Sequence, residues 1–181
     1  FSDTSEEGLA FIYATEGSTL DSLHEDLFKQ ISREKKGGAG NATSNTMDIL
    51  NKLPRWFVKF FIWLMRQLDR HGIVPKAIIE ADPYYASVIL SNLGSIKLRS
   101  GYHHLTNWGT TSLFVVVGEM KERIFRNENG EDEYRNSVDL GLTIDERLAD
   151  GYYYSKSVRL LKYILEHPEC LERPFSEPVD Y

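Results

Sequence analysis

Two short polar segments of this sequence carry side chains that could take part in proton transfer or stabilise a developing negative charge. The first is the charged segment 145–151, DERLADG, in which the carboxylate of Glu146 can in principle accept a proton. The second is the segment 91–95, SNLGS, which starts with the hydroxyl of Ser91 directly after an apolar run. Each group also has an ordinary interpretation. Glu146 could pair with Arg147 or Arg159, and the Ser91 hydroxyl could bond to backbone at a strand end.

Both segments resemble motifs of one protein family. Residues 145–151 are similar to the Asp-His-Arg-x-x-Asp-Gly segment of the acyltransferase (E2) catalytic domain of 2-oxo acid dehydrogenase complexes, a relative of chloramphenicol acetyltransferase. Residues 91–94 resemble the Ser-Asn-Leu-Gly strand end of the same domains. Glu146 follows Ser91 by 146 − 91 = 55 residues, which is similar to the family's separation, and the apolar run 112–118 lies between them. The resemblance extends from about residue 8 to residue 173.

The resemblance implies roles for the motif residues. In the family, the motif histidine takes the proton from a thiol or hydroxyl acceptor, and Glu146 stands at that position here. Ser91 would donate a hydrogen bond to the oxyanion of the tetrahedral intermediate. Asp150 would hold the loop through an ionic contact, and Gly151 would permit the turn into the next helix. We therefore expect Glu146, Ser91 and Asp150 to be the catalytic group.

Four further residues are implied to contact the substrate. Asn92 and Gly94 belong to the strand-end segment. His103 and His104 lie in a stretch whose family counterpart is close to the acyl-transfer site. One of the two histidines could supply the missing imidazole from another direction, whereas the alternative is a packed side chain with no chemical role.

The replacement of histidine by glutamate makes the chemistry less favourable. Proton transfer from a thiol of pKa about 8.5 to a glutamate of pKa about 4.3 is uphill by about 6 kcal/mol, against about 3 kcal/mol for a histidine. Burial can raise the pKa of a glutamate and close that difference. Two functions stay open: an acyltransferase with weak or lost activity, and a non-catalytic acyl-ligand-binding or scaffold relative of the same fold.

The resemblance also implies the fold, the substrates and the assembly. We expect an α/β (α+β sandwich) fold of the chloramphenicol acetyltransferase type, a mixed sheet flanked by helices, with residues 1–181 forming one domain that is about the C-terminal two-thirds of a complete one. The substrates would be an acyl-CoA or acyl-lipoyl thioester and a thiol, hydroxyl or amine acceptor, with no metal. The active site would form between subunits of a homotrimer or of a higher assembly of trimers.

Composition limits the remaining possibilities. A chain of 181 residues with 41% hydrophobic residues is sized for one globular domain. The net charge of −6 gives no electrostatic basis for binding nucleic acid. The single cysteine, Cys170, excludes an internal disulfide, and no zinc-like spacing of Cys and His is present, so a reducing, cytoplasmic setting is expected.

Helical periodicity predicts three helices. The spacing of apolar residues indicates a helix over 19–31, started by a capping box of Ser18 and Asp21, which follows a strand over 9–14. A Gly-rich segment, 35–46, is predicted to be a flexible loop. Further helices are expected over 54–72 and 152–167, the last one stopped by Pro168.

The helix over 54–72 contains an unusually apolar run, 56–65. Because a membrane span needs about 20 apolar residues, this run is too short to cross a bilayer. Two interpretations remain: a core or trimer-interface helix, or a face that docks on a membrane surface or a partner.

Strands are predicted in the middle of the chain. One ends at Ser91, another covers 112–118, and the Asn129-Gly130 turn joins a hairpin with arms over 119–125 and 134–144. The second arm alternates polar residues with apolar ones, and one of its faces is therefore expected to be buried. The apolar residues of that face are Val138, Leu140, Leu142 and Ile144.

Overall fold

The protein is a mixed α/β chain. A computed structural model describes residues 9–35 and 52–181, so that the predicted loop over 35–46 lies, apart from Lys35, outside the described residues. The described chain contains helices and a three-stranded mixed sheet, and the strands are flanked along the sequence by helices. The predicted α/β class with a mixed sheet is thus confirmed. The chain forms two compact units, the second of which is Lys59–Ala149.

The first unit contains helices α1, Leu20–Lys35, and α4, Gly151–Glu166. Helix α1 agrees with the prediction, but its capping residues differ. Thr19 N donates to Ser22 Oγ at 3.0 Å and Ser22 N donates to Thr19 Oγ1 at 3.4 Å, so the reciprocal cap is Thr19 with Ser22. The predicted cap residue, Ser18, instead bonds through its hydroxyl to Thr15 N at 2.9 Å.

Residues 9–14 do not form the predicted strand. The backbone of Phe11 is paired by a side chain: Phe11 N donates to Gln30 Oε1 at 2.9 Å, and Gln30 Nε2 donates to the Phe11 carbonyl at 2.6 Å. The amide of Gln30 therefore satisfies the backbone groups that a neighbouring strand would otherwise bond. Sequence alternation alone does not distinguish these two ways of pairing an extended segment.

Helix α2, Arg55–Arg70, matches the prediction over 54–72 and contributes its residues from Lys59 onwards to the second unit. Its end is set by Gly72, whose φ of 67° lies in the left-handed region that glycine tolerates. A short helix that the sequence pattern did not predict, α3, Lys76–Ala81, follows Pro75.

The sheet belongs to the second unit and has the order β1–β2–β3. Strand β1, Val88–Asn92, runs parallel to β2, Leu113–Arg126, which is antiparallel to β3, Asp132–Ile144. The two strands predicted over 112–118 and 119–125 are one long strand with a register shift between Val117 and Met120. The predicted hairpin is confirmed, and Gly130 takes a φ of 82° in its turn.

One face of the sheet carries the most buried side chains. Phe114 and Val116 are 8% and 4% exposed, and they alternate along β2 so that they share this face. Gly141 on β3, which pairs with Val116, is buried as well. The predicted burial of the opposite face of β3 is wrong for Val138 and Leu140, which are 44% and 39% exposed.

The apolar run of α2 is only partly covered. Trp56, Phe60 and Trp63 are 70%, 54% and 55% exposed, and none of the helix residues is fully buried. Within 9–35 and 52–181, no helix combines the length and the hydrophobicity that crossing a bilayer requires.

Candidate active site

Ser91 lies one residue before the end of β1, on the face of the sheet that is most buried. Its register partner on β2 is Val116, and its own side chain is half-buried. The Ser91 hydroxyl forms no hydrogen bond with any residue in the described part of the chain. Its proton and both lone pairs are therefore available to a ligand.

Glycines shape the backbone that follows Ser91. Leu93 N donates to the Val117 carbonyl at 2.9 Å, which continues the pairing with β2. A Cβ on Gly94 would lie 2.6 Å from the Gly118 carbonyl oxygen, so this close approach requires glycine. Asn92 is exposed, and its carbonyl accepts a hydrogen bond from Ser95 Oγ at 2.9 Å. The described contacts thus assign Gly94 a packing role.

Glu146 lines an open cleft in the second unit. The cleft has a volume of about 440 Å³, and it is formed by the end of β3 and two loops: Leu105, Thr106, Asn107, Thr143, Ile144, Asp145, Glu146 and Arg147. Arg147 pairs with Asp145 at 2.6 Å rather than with Glu146. This hydrogen-bonded guanidinium holds the pKa of Asp145 below its usual range. No described residue forms an ion pair or hydrogen bond with the Glu146 carboxylate.

Thr143 is a cleft residue that the sequence did not single out. Its Oγ1 is buried and has no hydrogen-bond partner among the described residues. A buried hydroxyl without a partner costs about 1–3 kcal/mol. The only sequence signal for Thr143 is its position two residues before the charged segment, on the face of β3 opposite the alternating apolar residues.

His103 and His104 are exposed and stack on each other, with ring centroids 5.1 Å apart. His103 also stacks on the face of Phe114 at 4.3 Å. Its Nδ1 lies 2.9 Å from the His104 carbonyl oxygen. His103 thus stacks on a buried ring while it stays exposed, and its Nε2 forms no hydrogen bond with a described residue.

Asp150 acts as a helix cap. Its carboxylate accepts a hydrogen bond from Tyr153 N at 2.9 Å and so satisfies one of the free N–H groups at the start of α4. Among the described residues, no ion pair of Asp150 corresponds to the ionic loop contact that the resemblance implied. A Cβ added at Gly151 would meet no atom within 4 Å, and the residue has no positive φ. The described turn therefore does not require glycine at this position.

Apart from Asp150, which belongs to the first unit, the predicted site residues form two groups within the second unit. Thr143 pairs with Phe114, and Ser91 pairs with Val116, which places Thr143 and Ser91 on the same face of the sheet with β2 between them. Two strand spacings separate them by about 10 Å across the sheet. Glu146 shares its cleft with Thr143, whereas Ser91, His103 and His104 do not line that cleft.

The chain was compared with family models, with curated proteins and with solved structures, and the last comparison found similar proteins. No family model matches the chain, and no curated protein matches it. Among solved structures, it is similar to a probable dihydrolipoamide acetyltransferase from Listeria monocytogenes 4b F2365, with 18% identity and a TM-score of 0.41. The match covers 68% of this chain and 47% of that one, so the chain spans about half the length of the protein that it resembles.

Proposed function

We propose that this chain forms the acceptor side of an acyltransferase site in a chloramphenicol acetyltransferase-type fold. The observation that carries the proposal is the position of Glu146 in an open cleft that Thr143 also lines: its carboxylate has no ion-pair or hydrogen-bond partner among residues 9–35 and 52–181. The neighbouring charges of Asp145 and Arg147 are paired with each other. Glu146 is thus the cleft carboxylate that is free to accept a proton from a ligand.

The reaction is the transfer of an acyl group from a CoA or dihydrolipoyl thioester to a thiol, hydroxyl or amine. Glu146 takes the proton of the acceptor as its sulfur, oxygen or nitrogen forms a bond to the thioester carbonyl carbon. The carbonyl oxygen becomes an oxyanion, to which the free hydroxyl of Ser91 donates a hydrogen bond. The C–S bond then breaks, and the leaving thiolate receives the proton from Glu146.

Two copies of the chain complete the site in this proposal. Ser91 lies outside the cleft that holds Glu146, so a thioester held against the Ser91 of one subunit needs the cleft of another to supply its acceptor. Apolar side chains on the exposed face of β1 support association, since Val88 and Leu90 are 48% and 65% exposed. By the family resemblance, we propose that these copies form a homotrimer or an assembly of trimers.

A second candidate function is binding of an acyl ligand without transfer, or assembly alone. The observation that favours it is the identity of residue 146, because a carboxylate is intrinsically a weaker base than an imidazole. In this case the cleft would still hold a ligand beside Glu146.

An assay of thiol release from a short acyl-CoA, with and without an acceptor, distinguishes the two functions. Glu146→Gln should abolish acceptor-dependent release, because the amide cannot take the proton. Glu128→Gln is the matched control, since it removes the same charge from the exposed hairpin turn. Release that is equal in the wild type and Glu146→Gln would exclude Glu146 as the base. Absence of release in both, with acyl-CoA still bound, would favour the binding function.

A further inference from the structure

The exposed part of α2 in the second unit has an unusual composition. Phe60 and Trp63 are 54% and 55% exposed, and their rings stack at 6.0 Å. Lys59, Arg66 and Arg70 are also exposed. These five residues are called the aromatic–basic patch below.

The helical spacing brings the aromatic and basic side chains together. Lys59 precedes Trp63 by four residues and Arg66 follows it by three, so both neighbour the indole, and Arg70 follows Arg66 by one further turn. At 100° per residue the three cations fall within about 40° of the helix circumference. A row of positive charge therefore runs beside the exposed ring of Trp63.

No anion of the described chain neutralises this patch. Lys59, Arg66 and Arg70 form no ion pair with any residue of 9–35 or 52–181. The nearby carboxylate of Asp69 forms no ion pair with these cations and instead accepts hydrogen bonds from Tyr85 Oη at 2.9 Å and from Gly109 N at 3.3 Å. The five residues of the patch thus carry three positive charges and no negative charge, on a chain whose net charge is −6.

We propose that the aromatic–basic patch docks the protein on an anionic lipid bilayer surface. Trp and Phe side chains partition into the interfacial region of a bilayer, and Lys and Arg side chains beside them attract anionic headgroups. A symmetric contact with a second copy would instead place three cations against three cations, which is unfavourable. This inference does not depend on acyl transfer.

The test is flotation of the full chain with lipid vesicles. Binding is expected with phosphatidylcholine that contains about 30 mol% phosphatidylglycerol and is expected to be weak with phosphatidylcholine alone. Because the attraction is electrostatic, binding of the wild-type protein should fall steeply between about 0.05 and 0.5 M NaCl. Equal binding to both vesicle types, or none to the anionic vesicles, overturns the proposal.

Matched variants locate the binding surface. The triple variant Lys59→Gln, Arg66→Gln, Arg70→Gln should lower the partition constant by about a hundredfold, since each cation near an anionic surface contributes about fivefold. The control is a second triple variant with the same net charge, in which three exposed lysines outside the patch are replaced: Lys76→Gln, Lys156→Gln and Lys162→Gln. An equal loss in both variants means that binding follows net charge alone, and this overturns the proposal.

The aromatic side chains are tested separately. Phe60→Ser with Trp63→Ser should lower binding by tenfold or more, because both rings leave the bilayer interface. The control is Tyr134→Ser with Tyr152→Ser, which removes two aromatic rings that are 65% and 68% exposed. Circular dichroism verifies that each variant is folded, and the salt dependence of the wild type serves as a readout that needs no variant. If Phe60→Ser with Trp63→Ser abolishes self-association but leaves vesicle binding unchanged, a second copy covers the patch and the proposal is wrong.

Discussion

The imidazole of His103 lies flat on the ring of Phe114, with centroids 4.3 Å apart and an angle of 9° between the planes. Phe114 belongs to the sheet face that also carries Ser91, so this stacking holds His103 over the face where the oxyanion donor is proposed. The loop that contains His103 continues into Leu105 and Thr106, which line the cleft of Glu146. One short loop thus reaches both parts of the proposed site.

The contacts of His103 predict its tautomer. Its Nδ1 lies 2.9 Å from the carbonyl oxygen of His104, and a carbonyl can only accept a hydrogen bond. The neutral ring must therefore carry its proton on Nδ1 and leave Nε2 as an acceptor. Nitrogen-15 NMR of selectively labelled histidine, assigned by comparison with His103→Gln, should show this tautomer. A neutral ring protonated on Nε2 would contradict the hydrogen bond.

Restoring histidine at position 146 should raise transferase activity. Glu146→His provides a base whose ordinary pKa is about 2 units closer to that of a thiol, in a cleft whose neighbouring Asp145–Arg147 pair is already present. In that background, Ser91→Ala should lower the rate of thiol release from acyl-CoA by about a hundredfold or more, because an oxyanion donor is lost. A Glu146→His variant that is slower than the wild type would show that the cleft is built for a carboxylate.

Oligomerisation should accompany activity. We expect the full-length protein to contain three copies by sedimentation velocity or light scattering, because the Glu146 cleft does not include the Ser91 of its own subunit. Mixing an inactive Glu146→Gln protein with an inactive Ser91→Ala protein should restore part of the rate, since some interfaces then combine one intact residue of each type. A stable monomer at micromolar concentration that turns over acyl-CoA would exclude the shared site.

Gly141 should be among the most sensitive positions of the sheet. A Cβ at this residue would overlap the carbonyl oxygen of Gly101, so Gly141→Ala must separate β3 from the loop that carries His103. We expect a loss of about 2 kcal/mol or more in the free energy of unfolding, measured with urea. Gly151→Ala is the matched control, because the structure leaves open space around that residue and alanine favours a helix start over glycine. Equal stabilities of the two variants would show that the loop yields to the added methyl group.

Much of the secondary structure could be predicted from local patterns. The turn at Asn129-Gly130 and the boundaries of α2 were found because their signals are short-range: a positive φ at Gly130, a proline before the helix and a glycine after it. Residues 9–14 were assigned wrongly because the partner of Phe11 is the side chain of Gln30, a tertiary contact that periodicity does not encode.

The site was harder to predict than the fold. A motif comparison identifies Glu146 and Ser91 by their neighbours in sequence. Whether their side chains have hydrogen-bond or ion-pair partners depends instead on which groups lie near them in space. Arg147 was an equally good partner for Glu146 on sequence grounds, and only the structure pairs it with Asp145. Thr143 was missed because a threonine in a strand is unremarkable until its hydroxyl is found buried without a partner.

The raised pKa of Tyr85 predicts how the free energy of unfolding changes in alkaline solution. Burial raises the pKa of Tyr85 to about 12, helped by its hydrogen bond to Asp69 and by the charges of Asp69 and Asp82, whereas an ordinary tyrosine has a pKa of 10.0. Because the folded state holds this proton more tightly than the unfolded chain, the stabilisation is fully present below pH 10.0 and is lost as the pH rises through about 12. Tyr85→Phe removes the ionisable group together with the 2.9 Å hydrogen bond to Asp69. Near neutral pH the variant should be less stable by about 2 kcal/mol, the value typical of a hydrogen bond to a charged group.

The difference between wild type and Tyr85→Phe should therefore shrink as the pH is raised from 10 to 12, as measured by urea unfolding at a series of pH values. Tyr134→Phe is the control, because it removes the hydroxyl of a tyrosine that is 65% exposed and does not contact Asp69. A difference between wild type and Tyr85→Phe that stays constant up to pH 12 would show that the folded state does not hold the Tyr85 proton more tightly than the unfolded chain.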